Sequence, residues 1–218
     1  MDFIHTLFKQ YQSYPTYMIV LEMTATLFGL LSVFYSIKKN IWVYPTGIIS
    51  TTIYIYLMFS FGLLGDTLIN LYYTVMSIYG WILWAKHSDD SVHVEVTAAP
   101  AKEWGRGAIL FAGSLLFVGT IYYFKPFIDN HFSMEGIELG FYHLDWANYT
   151  DIITTSMFLV GMYFMAKRYL ENWILWIIAD MVCIPMMLYK GLAVTSIQYL
   201  VFTIMAFVGY YSWKRDLR

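Results

Sequence analysis

Seven stretches of this chain are apolar for long enough to cross a bilayer, and that constrains the fold more than any other feature. A helix needs roughly 20 residues to cover about 30 Å of hydrocarbon, and the stretches fall at about 17–36, 42–60, 66–85, 107–124, 150–166, 172–189 and 193–213. A bilayer holds no water to satisfy backbone groups, so each stretch is expected to be an α-helix. Composition agrees: 59% of the 218 residues are hydrophobic, 20% aromatic and 13% charged, far from the balance of a soluble domain. An all-α integral membrane protein is expected. The breaks fall at "KKN" after span one, the turn 62–65, the polar segment 86–106, the acidic segment 125–149, "KRYLEN" from Lys167 and "KGLAVT" from Lys190. Pro45 and Pro185 lie within spans two and six, where neighbouring helices can compensate a lost backbone bond. The start of the chain lacks the basic region and cleavage site of a signal peptide, so the whole chain is expected to remain.

Charge position says more than the net charge of -2, which gives no nucleic-acid signal. With seven spans, ten of the thirteen basic residues fall on one side: Lys38, Lys39, Lys86, Lys102, Arg106, Lys167, Arg168, Lys214, Arg215 and Arg218. Lys9, Lys125 and Lys190 fall on the other. The positive-inside rule then puts the C-terminus in the cytoplasm and the N-terminus outside, with the acidic loop facing outward. Sliding the chain on itself by 129 residues pairs Lys38 with Lys167, Gly62 with Gly191, Gly80 with Gly209, Trp84 with Trp213 and Glu22 with Asp151. Spans one to three fall on five to seven, and span four is left as a connector. This predicts a 3+1+3 arrangement of parallel repeats: 1–86, a connector with the outer loop over 87–149, and 150–218. Parallel repeats are a transporter architecture, with the ligand near the midplane where the halves meet.

Asp180 lies nine residues into span six, where a carboxylate costs on the order of 3 kcal/mol on insertion scales. Trp173, Trp176 and Asp180 are spaced three and four apart and share one helix face. Indole faces attract a cation and a nearby carboxylate reinforces them, so the three describe a pocket for a flat, positively charged heteroaromatic molecule. The plainer alternative makes Trp173 an interfacial belt residue and gives Asp180 a hydrogen bond to another helix. Span three carries a second stripe, Asp66, Asn70, Tyr73 and Ser77, which should point into the bundle. Asn70 and Tyr73 serve either the pocket or helix-to-helix hydrogen bonding, and Asp66 reads as a helix-start residue. Gln198 and Tyr199 are the polar residues of span seven. Glu22 and Asp151 read as carboxylates near the outer interface. Cys183 reads as a small buried side chain. No zinc helix, nucleophile elbow or phosphate loop is present, and His5, His87, His93, His131 and His143 all lie outside the spans. No enzyme chemistry, metal or cofactor is expected. "NYT" at Asn148 matches a glycosylation sequon.

The pattern W-x-x-W-x-x-x-D at Trp173, Trp176 and Asp180, the segment "GDTLINLYYTVMSIYGWILW" from Gly65 to Trp84, and the closing "GYYSWKR" resemble the PnuC vitamin transporters of bacterial inner membranes. The resemblance runs from span one to span seven. It implies the fold of the SWEET-like sugar facilitators, a homotrimer, and facilitated diffusion of nicotinamide riboside that is trapped by cytoplasmic phosphorylation. On that reading Trp173 and Trp176 stack the cationic ring, Asp180 orients it, and Asn70, Gln198 and Tyr73 bind hydroxyls. The nicotinamide riboside members carry asparagine where this chain has Asp180, and other members move thiamine, whose thiazolium also suits the pocket. Two readings from other classes compete. A seven-helix sensor should carry an output module, and the tail after Trp213 is only "KRDLR". A sugar facilitator would not need a carboxylate between tryptophans.

Overall fold

The structure, a computed structural model, describes residues 15–61, 64–87, 93–130, 132–190 and 193–217. Lys9, His5, His131, Arg218 and the Gly62–Gly191 match lie outside them. Among the described residues the helices are α1 (Thr16–Ile37), α2 (Val43–Ser60), α3 (Leu64–Ala85), α4 (Ala101–Tyr123), the short α5 (Lys125–Asp129), α6 (Trp146–Ala166), α7 (Asn172–Tyr189) and α8 (Ala193–Asp216). Two isolated β-bridges, Asn40 with His93 and Thr97 with Tyr169, are found among the described residues. Four helices, α1, α3 from Asp66 onward, α4 and α7, are long and apolar enough to cross a membrane by length and composition. The chain is thus an all-α membrane protein. In α2, α6 and α8 hydroxyl side chains lower the apolar average, and most of them bond back to a carbonyl one turn earlier. Thr46 donates to Trp42 O at 2.7 Å, Thr150 to Trp146 O at 2.7 Å, Ser156 to Ile152 O at 2.8 Å and Thr203 to Tyr199 O at 2.8 Å. Such hydroxyls leave no donor seeking water.

Two helices start earlier than the apolar pattern predicts. α4 begins at Ala101 rather than 107, because Pro100 is its N-cap and Glu103 in its first turn pairs with Arg106 three residues on, an acid where the helix dipole favours one. α6 begins at Trp146 rather than 150, because Asp145 and Asn148 cap each other: Asn148 N–H donates to Asp145 Oδ1 and Asp145 N–H to Asn148 Oδ1, both at 3.0 Å. The sequon asparagine is therefore engaged in a capping box. Pro45 sits in the first turn of α2, where no intrahelical bond is lost; Pro185 is inside α7.

α2 packs between α1 and α3, α7 between α6 and α8, and α4 lies along α6. The first three helices meet the last three through α3 with α6 and α1 with α8. At one end of this seam the large aromatics interlock. Trp84 and Trp213 are fully buried 6.1 Å apart. Tyr44 stands edge-on to Trp84 at 5.1 Å, and Trp173 edge-on to Trp213 at 5.5 Å, the geometry that ring quadrupoles prefer. Each indole N–H crosses the seam: Trp84 Nε1 donates to Met165 O at 3.3 Å and Trp213 Nε1 to Ser36 O at 2.9 Å. Glycine is required beneath both edge-on rings. A Cβ at Gly80 would lie 2.4 Å from Tyr44, and one at Gly209 would lie 2.5 Å from Trp173.

The segment 93–99 forms a strap across this end. Val94 N–H donates to Lys39 O at 3.1 Å, Thr97 N–H to Arg168 O at 3.0 Å, and Leu170 N–H to Thr97 O at 2.9 Å. Val94 and Val96 are buried in the aromatic cluster. The strap joins the turn after α1 to the turn after α6, and each turn is closed by a left-handed residue, Lys39 at φ 56° and Arg168 at φ 65°. The polar segment 86–106 of the sequence reading is thus partly a strap and partly the first turns of α4.

Candidate functional site

α7 carries Trp173, Trp176 and Asp180 on one face, and its neighbours decide what each meets. Asp180 is 3% exposed, and among the described residues no hydrogen bond or ion pair reaches its carboxylate. A buried carboxylate without a partner is expensive in any low-dielectric surround. Tyr73 from α3, Cys183 from α7 and Tyr199 from α8 feel its charge, and Phe158 from α6 and Trp176 from α7 pack into the same cluster with Cys183 and with Ala179, the residue before Asp180. Phe158 and Tyr199 are nearly parallel, 9° between planes with centroids 6.2 Å apart, and Phe158 meets Trp176 at 5.2 Å. Trp176 packs over Gly161, where a Cβ would approach the indole to 3.3 Å.

Of the residues read from the sequence, the structure gathers Tyr73, Trp176 and Asp180. Trp173 is buried in the other aromatic cluster, edge-on to Trp213 and over Gly209, with no hydrogen-bond partner for its indole N–H among the described residues. Asn70 is half-buried, and its side-chain amide donates to Asp66 O at 2.9 Å, one turn back in α3. Gln198 approaches the Tyr54 hydroxyl, which also bonds Thr26 at 2.9 Å and lies near Glu22. It therefore sits at the junction of α1, α2 and α8. Phe158 completes the Asp180 surround without any signal in the sequence; Cys183 is buried there as its apolar run implies, and Tyr199 was visible only as a polar residue of span seven.

Asp151 is more than a solvated helix end. Its Oδ2 accepts from Tyr122 Oη and from Lys190 Nζ, the latter at 3.3 Å, so α4, α6 and the end of α7 are tied together. Among the described residues no group of three or more histidine, cysteine, aspartate or glutamate side chains is placed to hold a metal ion.

A helical membrane bundle that encloses an unpaired carboxylate among four aromatic rings, at a point where both halves contribute helices, has the form of a small-molecule transporter site. The model of the nicotinamide mononucleotide transporter family matches residues 19–215. The chain belongs to that family; it is a membrane transporter and not an enzyme. It is 23% identical over 206 residues to the nicotinamide riboside transporter PnuC of Escherichia coli K12, covering 91% of this chain and 86% of that protein. It is 22% identical over 201 residues to the riboflavin/roseoflavin transporter RibM of Streptomyces davaonensis, covering 90% and 87%. The nicotinamide riboside transporter PnuC of Neisseria mucosa is 28% identical over 173 residues, 76% of this chain and 59% of that one. The crystal structure of the vitamin B3 transporter PnuC superposes with a TM-score of 0.62 at 24% identity, covering 90% of this chain and 81% of that one.

Proposed function

We propose that this protein carries nicotinamide riboside, a cationic heteroaromatic vitamin, across the inner membrane of a bacterial cell by facilitated diffusion. The observation that carries the reading is the buried, unpartnered carboxylate of Asp180 beside the rings of Tyr73, Phe158, Trp176 and Tyr199. A pyridinium supplies both a positive charge to pair with the Asp180 carboxylate and a flat face for the rings. A riboflavin-type substrate is neutral and would leave the carboxylate uncompensated. Relatives named nicotinamide riboside transporters support the choice of vitamin. Phosphorylation after passage would keep the vitamin inside and maintain the gradient. Asn70 and Gln198 complete the proposed site as residues that the ribose hydroxyls reach when the halves move, while Trp173, wedged between Trp213 and Gly209, supports the site by holding α7 against α8.

The architecture we propose is seven crossing helices in a 3+1+3 arrangement of parallel repeats, 1–86 and 150–218, joined through α4. Several observations support it. α2 and α7 are each 18 residues long and start 129 residues apart, at Val43 and Asn172. The left-handed Lys39 and Arg168 share that offset, and so do the pairs Tyr44 with Gly80 and Trp173 with Gly209. The bonds from Trp84 to Met165 and from Trp213 to Ser36 exchange under it. The distribution of basic residues supports a cytoplasmic C-terminus and an outer N-terminus. A homotrimer completes the proposal.

The test is titration calorimetry on the full chain in nanodiscs, with uptake into proteoliposomes alongside. Nicotinamide riboside should bind, and Asp180→Ala should weaken it at least tenfold, while Asp180→Asn weakens it less because the amide still offers a hydrogen bond to the carboxamide. Thiamine and riboflavin run beside it. Binding of either in place of nicotinamide riboside, or nicotinamide riboside affinity unchanged in Asp180→Ala, overturns the reading.

A further inference from the structure

A cavity of about 240 Å³ opens beside the strap, at the end of the molecule away from Asp151 and Lys190. Its walls are Leu83 and His87 from the end of α3, Thr97 of the strap, and the stretch 166–169 where α6 turns into α7. We propose that this cavity is a binding site for a phosphate group.

Three basic side chains line it: His87, Lys167 and Arg168. Three of the carboxylates nearby are engaged elsewhere, and a fourth, Glu95, stands exposed on the strap two residues before Thr97. Glu103 accepts from Arg106 and, at 2.7 Å, from the Tyr163 hydroxyl; Glu171 accepts from Ala99 N–H at 2.8 Å; Asp216 pairs with Lys39. Glu103 lies within the field of Lys167, yet no carboxylate among the described residues forms an ion pair with that lysine. Its ammonium is held instead over the rings of Tyr79 and Tyr163, 5.9 Å from each centroid. Such a cation keeps its hydrogen-bond donors for a further partner.

The remaining walls add donors. His87 Nδ1 lies 2.8 Å from Leu83 O; with the proton on Nδ1 this contact fixes the ring and leaves Nε2 for another contact. The Thr97 hydroxyl takes part in no hydrogen bond among the described residues. The walls are preorganised, because Thr97 N–H and C=O are bonded to Arg168 O and Leu170 N–H, and the Arg168 guanidinium donates to Glu95 O at 3.2 Å. A left-handed arginine is a strained choice where glycine or asparagine would sit more easily. Strain of this kind persists where a side chain is needed. Two fixed cations, a histidine and a hydroxyl around a cavity of this size suit a compact, doubly charged oxyanion. The same chemistry is offered by a soluble phosphate and by the headgroup of an anionic phospholipid.

The experiment titrates inorganic phosphate and pyrophosphate into the full chain in nanodiscs at constant ionic strength, with chloride as reference. One set of discs is made of phosphatidylcholine, another includes phosphatidylglycerol. Phosphate should bind in phosphatidylcholine discs, and Lys167→Gln should weaken it at least tenfold. Lys167→Arg should restore it to within about threefold, which separates loss of charge from misfolding. Lys214→Gln, at an exposed lysine outside the cavity, should leave it unchanged. If phosphatidylglycerol abolishes phosphate binding in the unaltered protein but not in Lys167→Gln, the occupant is the lipid headgroup; if binding persists, it is soluble phosphate. A response to phosphate no larger than to chloride in both kinds of disc, or equal losses in Lys167→Gln and Lys214→Gln, overturns the site.

Discussion

Adding a single methyl group at Gly209 tests whether Trp173 is wedged as the packing indicates. A Cβ there would stand 2.5 Å from two atoms of the Trp173 six-membered ring and 2.6 Å from a third, against an optimum carbon–carbon separation of about 3.5–4.0 Å. The ring must therefore retreat by about 1 Å or more. Trp213 blocks it edge-on at 5.5 Å, and Trp173 itself is 3% exposed. Overpacking of a closed core costs ~1–3 kcal/mol, and alanine in place of a helical glycine returns up to ~1 kcal/mol. The net expectation for Gly209→Ala is a loss of ~1–2 kcal/mol. For a domain of this size that is about 2–8 °C in the midpoint of thermal unfolding, at 2–4 °C per kcal/mol. Gly80→Ala, whose Cβ would meet Tyr44 at 2.4 Å, should lose a similar amount. Gly105 and Gly113 have nothing within 4 Å of the added carbon, so alanine there should be neutral or slightly stabilising. The assay is loss of native fluorescence on heating in one fixed detergent, at one scan rate. A Gly209→Ala protein that melts no lower than Gly105→Ala would refute the wedge and return Trp173 to a loose, ligand-facing position.

Further expectations follow from the separation of the two aromatic clusters and from the strap. Trp176→Ala should weaken nicotinamide riboside binding at least tenfold, while Trp173→Phe should lower the melting midpoint by several degrees and change affinity less than about threefold; titration calorimetry and melting on the same samples check both. Thr97→Pro removes the N–H that bonds Arg168 O, and with it ~1 kcal/mol or more. It should speed proteolysis between α3 and α4, read on gels, whereas the exposed Lys102→Ala should not.

The helices were legible because apolar length is a direct demand of the bilayer: α7 coincides with the predicted 172–189 and α2 begins one residue inside the predicted 42–60. What escaped were helix starts set by local polar chemistry, the Asp145–Asn148 box and the Pro100 cap, which hydrophobicity does not register. The site was half legible. An aspartate in an apolar run announces itself, and so does a polar stripe containing Tyr73. Phe158 is one of sixteen phenylalanines in the chain and carries no such mark. Trp173 and Asp180 do share a face, but seven residues of helix separate them by about 10 Å along the axis. They therefore meet different neighbours, Trp213 at one level and Tyr199 at the other. Spacing on a helical wheel records direction and omits height.

If the halves rock to pass the vitamin, contacts that cross the seam must change while those within a half persist. Asp180, Phe158, Trp176 and Tyr199 all belong to α6, α7 and α8, whereas Tyr73 comes from α3. Rocking thus moves Tyr73 across an otherwise fixed surround, and Tyr73 is the wall that opens. At the strapped end Ser36 Oγ donates across the seam to Met165 Sδ at 3.5 Å, one side chain from each half. Ser36→Cys with Met165→Cys, in a Cys183→Ala background, places two thiols across that contact. Oxidation should form a disulfide, and uptake into proteoliposomes should then fall at least tenfold and recover on reduction, with nicotinamide riboside affinity held within about twofold. The disulfide is scored independently by gel mobility after cleavage between the halves. Undiminished uptake by a fully cross-linked protein would mean that the two halves do not part at this end, and that the vitamin passes by a route which leaves the Trp84 and Trp213 bonds intact.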